Sequence, residues 1–381
     1  MKEKGEFKTQ PVYERLAEAL KMRGGAAPVV RCREFYALLE ELFTPEEAEL
    51  NAKMPLRYIS AAELATETGV NPKEVERLLE NMANKALLYS QTRDGVMRYY
   101  PLPLVPGMFE MQFTTGDVSE RAKRLAHLFE DYFNAMTGGR GRAGLYTAAG
   151  TALPFPFFRV ITVEQEIPAG YEILTYDTVS KYIDNTEYIA VGTCYCRHHA
   201  ELLGRPCDKP KQVCMGFGPA VKGNADRGFG RLLSKQEARD ILKRCEQEGL
   251  VHITSNTSKY IDLICNCCTC HCGMLQSLKN APTPGMVATS GFIASLDEGD
   301  CSGCGDCVER CPMDTLALDG DVVALNSERC IGCGLCVSTC PTGALRLEPR
   351  EGAPVPPWDR HELNAAMMAS IEQTVRRMEN P

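Results

Sequence analysis

Apolar positions in the first third of the chain recur every three or four residues, which predicts amphipathic helices. One such stripe consists of Phe35, Leu38, Leu39 and Leu42. A second helix is predicted after Ser60, because Ser60 and Glu63 have the spacing of a capping box, and Gly69 would end it. A third is predicted to follow Asn71, with Pro72 at its first position. The buried stripe of this third helix would be Val75, Leu78, Leu79 and Met82.

Two strand-like stretches follow these helices. Residues 87–89 and 96–100 flank Asp94 and Gly95, a pair that is typical of a tight hairpin turn. This order of helices and hairpin resembles that of winged-helix domains. The resemblance implies a winged-helix-like module over residues 31–115. The helical pattern before it predicts a helical arm over residues 1–30.

Many winged-helix domains bind DNA. The balance of basic and acidic residues in this module indicates whether it is suited to that function. Residues 31–106 contain nine Lys and Arg against twelve Asp and Glu, whereas a DNA-binding domain normally has a basic face. The balance favours a module that docks on protein or dimerises. Nucleic acid is therefore not an expected partner.

Helical spacing returns over residues 119–136, which predicts a linker helix. The G-x-G-x-x-G spacing of residues 139–144 matches dinucleotide-binding loops, but here a helical pattern precedes it and no clear helix pattern follows. We therefore expect a flexible turn, so that residues 116–150 form a linker helix and a Gly-rich turn.

Strand and helix patterns alternate over residues 151–290. Strand-like runs occur at residues 158–164, 188–191 and 250–253, and the capping box of Ser234 and Glu237 predicts a helix to about residue 248. Residues 351–381 contain a Pro-rich stretch and then a helical pattern from about residue 362 to 378, which predicts a docking helix. Its apolar face would be Leu363, Met367 and Ile371. The fold class predicted from these patterns is α+β, with several domains.

The cysteine content changes the picture most. The chain of 381 residues has 19 cysteines and a formal net charge of −8, and it shows neither a signal-peptide pattern nor an apolar run approaching 18 residues. These features predict a cytoplasmic protein without a membrane span, whose cysteines bind metal in a reducing compartment. Because oxygen damages exposed iron–sulfur clusters, an anaerobic or microaerobic setting is expected.

One pattern of cysteines occurs twice near the C-terminus. Residues 301–312 and 330–341 both read C-x₂-C-x₂-C-x₃-C-P, and the second copy begins 29 residues after the first. A [4Fe–4S] cluster takes three thiolates from one tight loop, while the fourth cysteine of such a motif binds the other cluster. One predicted ligand set is Cys301, Cys304, Cys307 and Cys340. The other is Cys330, Cys333, Cys336 and Cys311.

Zinc and disulfides explain this pattern less well. Zinc is usually bound by paired C-x₂-C elements, and disulfides need an oxidising compartment. On these motifs, residues 296–350 resemble a bacterial-type dicluster ferredoxin domain. The resemblance implies a ferredoxin fold with two [4Fe–4S] clusters.

Nine further cysteines lie in two patches of the middle segment: Cys194, Cys196, Cys207, Cys214, Cys265, Cys267, Cys268, Cys270 and Cys272. We predict one or two additional iron–sulfur clusters here, with zinc as the alternative. One grouping would join the first four and another the last five, but mixed groupings fit equally well. In an extended chain, alternate residues share a face, so Cys265 and Cys267 would point to one side and Cys268, Cys270 and Cys272 to the other.

The CxCRHH, VCMxFG and ICNCCxCxC runs are similar to those of ferredoxin-fused iron–sulfur proteins of anaerobic bacteria. This similarity supports metal binding only. Arg197 follows the CxC directly, and a cation there would raise the potential of a nearby cluster. His198 and His199 are expected to be solvated loop residues, and Cys32 and Cys245 to be thiols without metal.

These features predict an electron-transfer protein that passes single electrons between redox partner proteins, such as a flavoprotein or another oxidoreductase subunit. Residues 296–350 contain ten Asp and Glu against four Lys and Arg, so this surface would attract a basic partner. No catalytic residue is identified. Two alternatives remain open: an oxidoreductase subunit that reduces a substrate at the middle domain, and a redox-sensing transcription regulator controlled by its clusters.

Overall fold

The computed structural model describes residues 9–24, 29–142, 144–145, 147, 155–167, 178–280 and 285–379. It divides into two compact units. The first contains residues 1–145, 195–206 and 219–232, and the second contains residues 146–194, 207–218 and 233–381. The beginning of the predicted arm, residues 1–8, and residues 151–154 of the predicted middle domain lie outside the described residues.

Both helices and strands are present, so the mixed α+β class is confirmed. The helices in the described part of the chain are α1 (Pro11–Arg23), α2 (Arg33–Leu42), α3 (Pro45–Ala52), α4 (Ala61–Thr68), α5 (Pro72–Asn84), α6 (Phe109–Phe113), α7 (Glu120–Thr137), α8 (Val179–Asn185), α9 (Tyr195–Leu202), α10 (Pro219–Asp226), α11 (Lys235–Gln247), α12 (Gly273–Asn280), α13 (Asp306–Arg310) and α14 (Arg360–Glu379).

The strands are β1 (Leu88–Arg93), β2 (Val96–Pro101), β3 (Phe158–Ile161), β4 (Ile189–Thr193), β5 (Gln212–Phe217), β6 (Arg231–Leu233), β7 (Val251–Ser255), β8 (Leu263–Cys267), β9 (Val287–Ala288), β10 (Phe292–Leu296), β11 (Leu316–Asp319), β12 (Val322–Leu325) and β13 (Leu345–Pro349).

Local signals set the element boundaries in the first unit. The Ser60 hydroxyl accepts a hydrogen bond from the Glu63 backbone N–H at 3.3 Å, and the Glu63 carboxylate accepts one from the Ser60 N–H at 2.8 Å. This capping box starts α4, as predicted. Gly69 ends α4 in the left-handed conformation, with φ of +70°. The antiparallel pair β1–β2 closes at Arg93 opposite Val96, which confirms the predicted hairpin turn.

The Gly-rich segment after α7 differs from its prediction. Residues 141–142, 144–145 and 147 are helical, so the segment is a turn only at its beginning; residue 143 lies outside the described part. The segment still does not match a dinucleotide-binding loop, because a helix rather than a strand precedes it.

The second unit is built on a mainly antiparallel sheet. Within this unit the strand order is β4-β5-β8-β7-β3-β9, and the β3–β9 pair is parallel. Met215 of β5 lies opposite Ile264 of β8, and both belong to a buried hydrophobic cluster that includes residues of α8 and α11. Because side chains alternate along a strand, Cys214 and Cys265 face the other side of this sheet.

The C-terminal part of the second unit contains two smaller antiparallel pairs. β10 pairs with β13, and β11 pairs with β12. Their inward side chains include Ala294, Leu316 and Leu345, which pack in one cluster with the cysteines of both motifs. The helical pattern predicted near the C-terminus corresponds to α14, in which Leu363 is fully buried. The side chain of Ile371, predicted on the same face, lies outside the described residues.

Candidate metal centres

The four cysteines of the first predicted ligand set surround one cavity. Cys301, Cys304, Cys307 and Cys340 line it together with apolar residues that include Leu296 and Leu345. Burial raises the pKa of Cys307, and the nearby Cys304, Cys340 and Cys301 thiols raise it further. Cys340 comes from the second motif, so this cavity combines cysteines of both motifs.

The second set is arranged in the same way. Cys330, Cys333, Cys336 and Cys311 line a separate cavity. Burial is the main reason that the pKa of Cys333 rises to about 12, with smaller contributions from Cys330 and Cys311. Both cavities thus combine three thiols of one motif with the last cysteine of the other. Four thiols around an apolar cavity form a donor set that suits a [4Fe–4S] cluster.

The backbone around both cavities is tightly packed. Gly303 has a φ of +66°, and a Cβ at this position would be 2.3 Å from the Asp321 carbonyl oxygen. Gly332, its counterpart in the second motif, has a φ of +69°, and a Cβ there would be 2.1 Å from the Phe292 carbonyl oxygen. The motif glycines therefore allow a close backbone approach that a larger residue would prevent.

Residues outside the motif hold the loop of the second set in place. The Thr162 hydroxyl donates a hydrogen bond to the Gly332 carbonyl at 2.8 Å, and the Val163 N–H donates one to the Cys333 carbonyl at 3.0 Å. The Arg350 guanidinium donates to the Cys330 carbonyl at 2.7 Å. Because Thr162 and Val163 directly follow β3, the large sheet is connected to this loop within the second unit.

The middle segment brings together a third group of donors. The ligand atoms of Cys207, Cys268, Cys270 and His271, which we call the Cys207 site, all lie within 4.8 Å of one another. The Cys207 and Cys270 sulfurs are 3.6 Å apart. Burial raises the pKa of Cys270 above its ordinary value, and the neighbouring Cys268 adds to this shift. Such a cluster could hold a metal ion.

His271 was not among the residues predicted to bind metal. Its signal in the sequence was its position between Cys270 and Cys272, inside a dense run of metal-ligand residue types. Histidine is a common zinc ligand beside cysteine, so a histidine inside such a run is a candidate ligand.

A fourth group lies at the end of β8. The buried thiols Cys265, Cys267 and Cys272 form this group, which we call the β8 thiol group. The Cys267 and Cys272 sulfurs are 3.2 Å apart. Hydrogen bonding with Cys265 is the main reason that the pKa of Cys267 is raised well above normal, followed by hydrogen bonding with Cys272 and by burial. In the β5–β8 register, Cys214 would come next to Cys265.

The expected alternation of side chains does not hold for Cys272. We predicted that Cys272 would point the same way as Cys268 and Cys270, but its sulfur contacts Cys267. The physical reason is that β8 ends at Cys267 and the chain then turns before α12 begins at Gly273. Strand geometry cannot be extended through that turn.

The CxC at residues 194–196 is not one extended ribbon either. Cys194 follows β4, and its N–H donates to the Lys211 carbonyl at 2.6 Å. Cys196 is instead a buried residue of α9. Cys207, which one of the possible groupings joined with Cys194 and Cys196, has its sulfur 3.6 Å from that of Cys270.

The expectation of solvated histidines after the CxC is wrong. Both side chains are buried on α9, in the first unit. His198 Nε2 is 2.8 Å from the Asp117 carbonyl oxygen, and His199 Nε2 is 3.0 Å from that of Ala126. The His199 ring also packs edge-on against Phe113, and burial lowers its pKa well below the usual value. Both histidines thus hold backbone segments of the first unit together.

None of the helices described has the length and hydrophobicity needed to cross a membrane.

Comparison with known proteins adds one assignment. A search of curated proteins found no match. A family model described as the 4Fe-4S dicluster domain matches residues 293–341, the segment that contains both cysteine motifs and both four-cysteine cavities. This segment therefore contains a 4Fe-4S dicluster domain, which implies two [4Fe–4S] clusters.

Proposed function

We propose that the chain is an iron–sulfur electron-transfer protein that passes single electrons between redox partner proteins. The observation that carries this proposal is the pair of four-cysteine cavities within the 4Fe-4S dicluster domain. The proposed ligands of one cluster are Cys301, Cys304, Cys307 and Cys340. Those of the other are Cys330, Cys333, Cys336 and Cys311.

The protein's own residues would hold and shield these clusters. A [4Fe–4S] cluster supplies reversible one-electron redox chemistry when it is bound. Apolar side chains such as Leu296 and Val323 line one cavity, and Leu316 and Leu347 line the other. Such walls keep water away from the sulfides and so help to set the reduction potential.

The connection between the large sheet and the second motif supports a route into the middle segment. Thr162 and Val163 bond the backbone at Gly332 and Cys333, so the second cluster would lie against the end of β3. We propose a further iron–sulfur cluster in the middle segment, held by the β8 thiol group together with Cys214. Cys214, Cys265 and Cys267 lie on the sheet face opposite the hydrophobic cluster, and the Cys272 sulfur is 3.2 Å from that of Cys267.

The acidic charge of the dicluster segment supports a basic partner. Ten Asp and Glu against four Lys and Arg in residues 296–350 would attract a positively charged protein surface and speed its association. We propose a flavoprotein or another oxidoreductase subunit as this partner.

The winged-helix-like module is proposed to dock on protein. Two of the three basic residues at the predicted DNA-reading helix, α5, already have acidic partners. Lys85 Nζ lies 2.7 Å from a carboxylate oxygen of the buried Glu47, and Arg77 lies 2.5 Å from a carboxylate oxygen of Glu74. These pairs reduce the positive charge that is available to a DNA backbone.

Iron counting with matched variants tests the proposal. The full-length protein, purified anaerobically, should contain close to eight irons in the dicluster domain, with additional iron from the middle segment. C304A/C307A and C333A/C336A should each lose about four irons, and C265A/C267A should remove only the additional iron. C32A is the control, since Cys32 lies at the start of α2 in the first unit.

Redox measurements complete this test. Electron paramagnetic resonance of the reduced protein should show interacting [4Fe–4S] signals that become a single-cluster signal in either dicluster variant. A wild-type protein without one-electron redox transitions would exclude electron transfer. Iron that stays constant in C304A/C307A or C333A/C336A would contradict the proposed ligand sets, and iron that stays constant in C265A/C267A would contradict the third cluster.

A further inference from the structure

The Cys207 site differs from the two dicluster cavities in the spacing of its donors. Its four ligand atoms, from Cys207, Cys268, Cys270 and His271, all lie within 4.8 Å of one another. Among the described residues, this is the group of three or more Cys, His, Asp or Glu side chains that meets this spacing. The thiols of the dicluster domain instead surround cavities that are also lined by apolar side chains.

We propose that the Cys207 site binds a single zinc ion, with Cys207, Cys268, Cys270 and His271 as its four ligands. The spacing of the sulfurs supports this ion. Four-coordinate zinc has Zn–S distances of about 2.3 Å, so two sulfurs on a tetrahedron lie about 3.8 Å apart. The Cys207 and Cys270 sulfurs are 3.6 Å apart. Three cysteines and one histidine are also an established ligand set of structural zinc sites.

Sheet topology explains how distant residues meet here. β5 and β8 are antiparallel neighbours, so the beginning of β5 lies at the same end of the sheet as the end of β8. Cys207 precedes β5, and Cys268, Cys270 and His271 follow β8. Zinc would therefore crosslink the segments that enter and leave two central strands. We expect its role to be structural, since zinc has no redox chemistry and all four positions are filled by protein.

This inference rests on the proposal that the middle segment binds metal, but not on electron transfer. The inference also divides the cysteines of one run between two centres. The turn after β8 directs Cys268 and Cys270 to the Cys207 site, while Cys267 and Cys272 contact each other in the β8 thiol group. Adjacent Cys267 and Cys268 thus belong to different centres.

The test is zinc and iron analysis of the anaerobically purified full-length protein, with X-ray absorption at the zinc edge. We expect about one zinc per chain, with three sulfurs at about 2.3 Å and one nitrogen at about 2.0 Å. C207S/C270S should lose this zinc and keep the wild-type iron content. C32S should keep both metals.

Two results would overturn the inference. One is a wild-type protein that lacks zinc, or whose zinc has a different ligand shell. The other is a folded C207S/C270S protein that retains zinc or loses about four irons. If that variant does not fold, the zinc-edge spectrum of the wild-type protein decides alone. Failure of the electron-transfer proposal would appear separately, as missing iron in the dicluster domain.

Discussion

Replacement of Gly332 by alanine should release the second dicluster cluster. Gly332 has a φ of +69°, and an added Cβ would be 2.1 Å from both the Phe292 carbonyl oxygen and the Ser290 hydroxyl. The Ser290 side chain can rotate, but the Phe292 carbonyl is backbone of β10. The motif loop must therefore move away from β10 to accommodate the methyl group.

Gly343 is the matched control, because its conformation is similar but its surroundings are open. It has a φ of +71°, and a Cβ there would meet no atom within 4 Å. G343A should therefore cost only the left-handed strain of an alanine, about 1 to 2 kcal/mol. G332A carries the same strain and also moves the Gly332 carbonyl. In the wild type this carbonyl accepts hydrogen bonds from the Thr162 and Ser290 hydroxyls, at 2.8 and 2.7 Å, and both would be lost. At about 1 kcal/mol for each bond, and with the contact to Phe292 in addition, G332A should cost roughly 3 kcal/mol more than G343A.

The assay is the rate of cluster release under anaerobic conditions with chelator and moderate urea, followed by loss of cluster absorbance. A difference of roughly 3 kcal/mol corresponds to more than about a hundredfold in rate if opening of the loop limits release. We expect G343A to remain within about thirtyfold of the wild type and G332A to be at least about a hundredfold faster than G343A. Equal rates for the two variants would refute the packing argument.

Three further results are expected. R350M should lower the reduction potential of the second dicluster cluster by roughly tens of millivolts, since it removes a cation whose guanidinium donates to the Cys330 carbonyl at 2.7 Å. R346M changes an exposed arginine within β13, the strand that Arg350 directly follows, and should shift the potential less in the same redox titration. Burial keeps the pKa of His199 well below its unfolded value of about 6.5. The first unit should therefore lose stability as the pH falls below about 6.5, by up to about 1.4 kcal/mol per pH unit. Thermal unfolding of H199F should lack this pH dependence. Gel shifts with promoter fragments at low salt should show no specific complex, because residues 31–106 carry a net negative charge. A specific complex that weakens steeply with salt would contradict protein docking.

Short-range signals made much of the secondary structure predictable. The capping boxes at Ser60 and Ser234 and the hairpin turn at residues 94–95 depend on residues within three positions of one another, and each lies where the sequence indicated. The repeated cysteine motif is equally local, and the 4Fe-4S dicluster domain match covers it. Such features need no knowledge of the rest of the fold, because their geometry is decided within a single turn or loop.

The middle segment shows where local reasoning ends. The number of cysteines in this segment indicated metal binding. Their spacing in the sequence could not assign them to individual metal centres, because residues of one centre, such as Cys207 and Cys270, are 63 positions apart. Their meeting depends on which strands pair and in which direction. The burial of His198 and His199 on α9 likewise depends on α6 and α7, which supply their neighbours within the first unit.

The sequence by itself thus determined the residue types, the two ferredoxin-like motifs and the positions of several helices and strands. Only the tertiary structure decided which distant donors share a site. The antiparallel register of β5 and β8 brings Cys207 to the turn after β8, and the end of β8 at Cys267 sends Cys268 and Cys272 to different groups. The register follows from burial of one sheet face, with Met215 and Ile264 in its hydrophobic cluster. That burial is a property of many residues that are far apart in the chain.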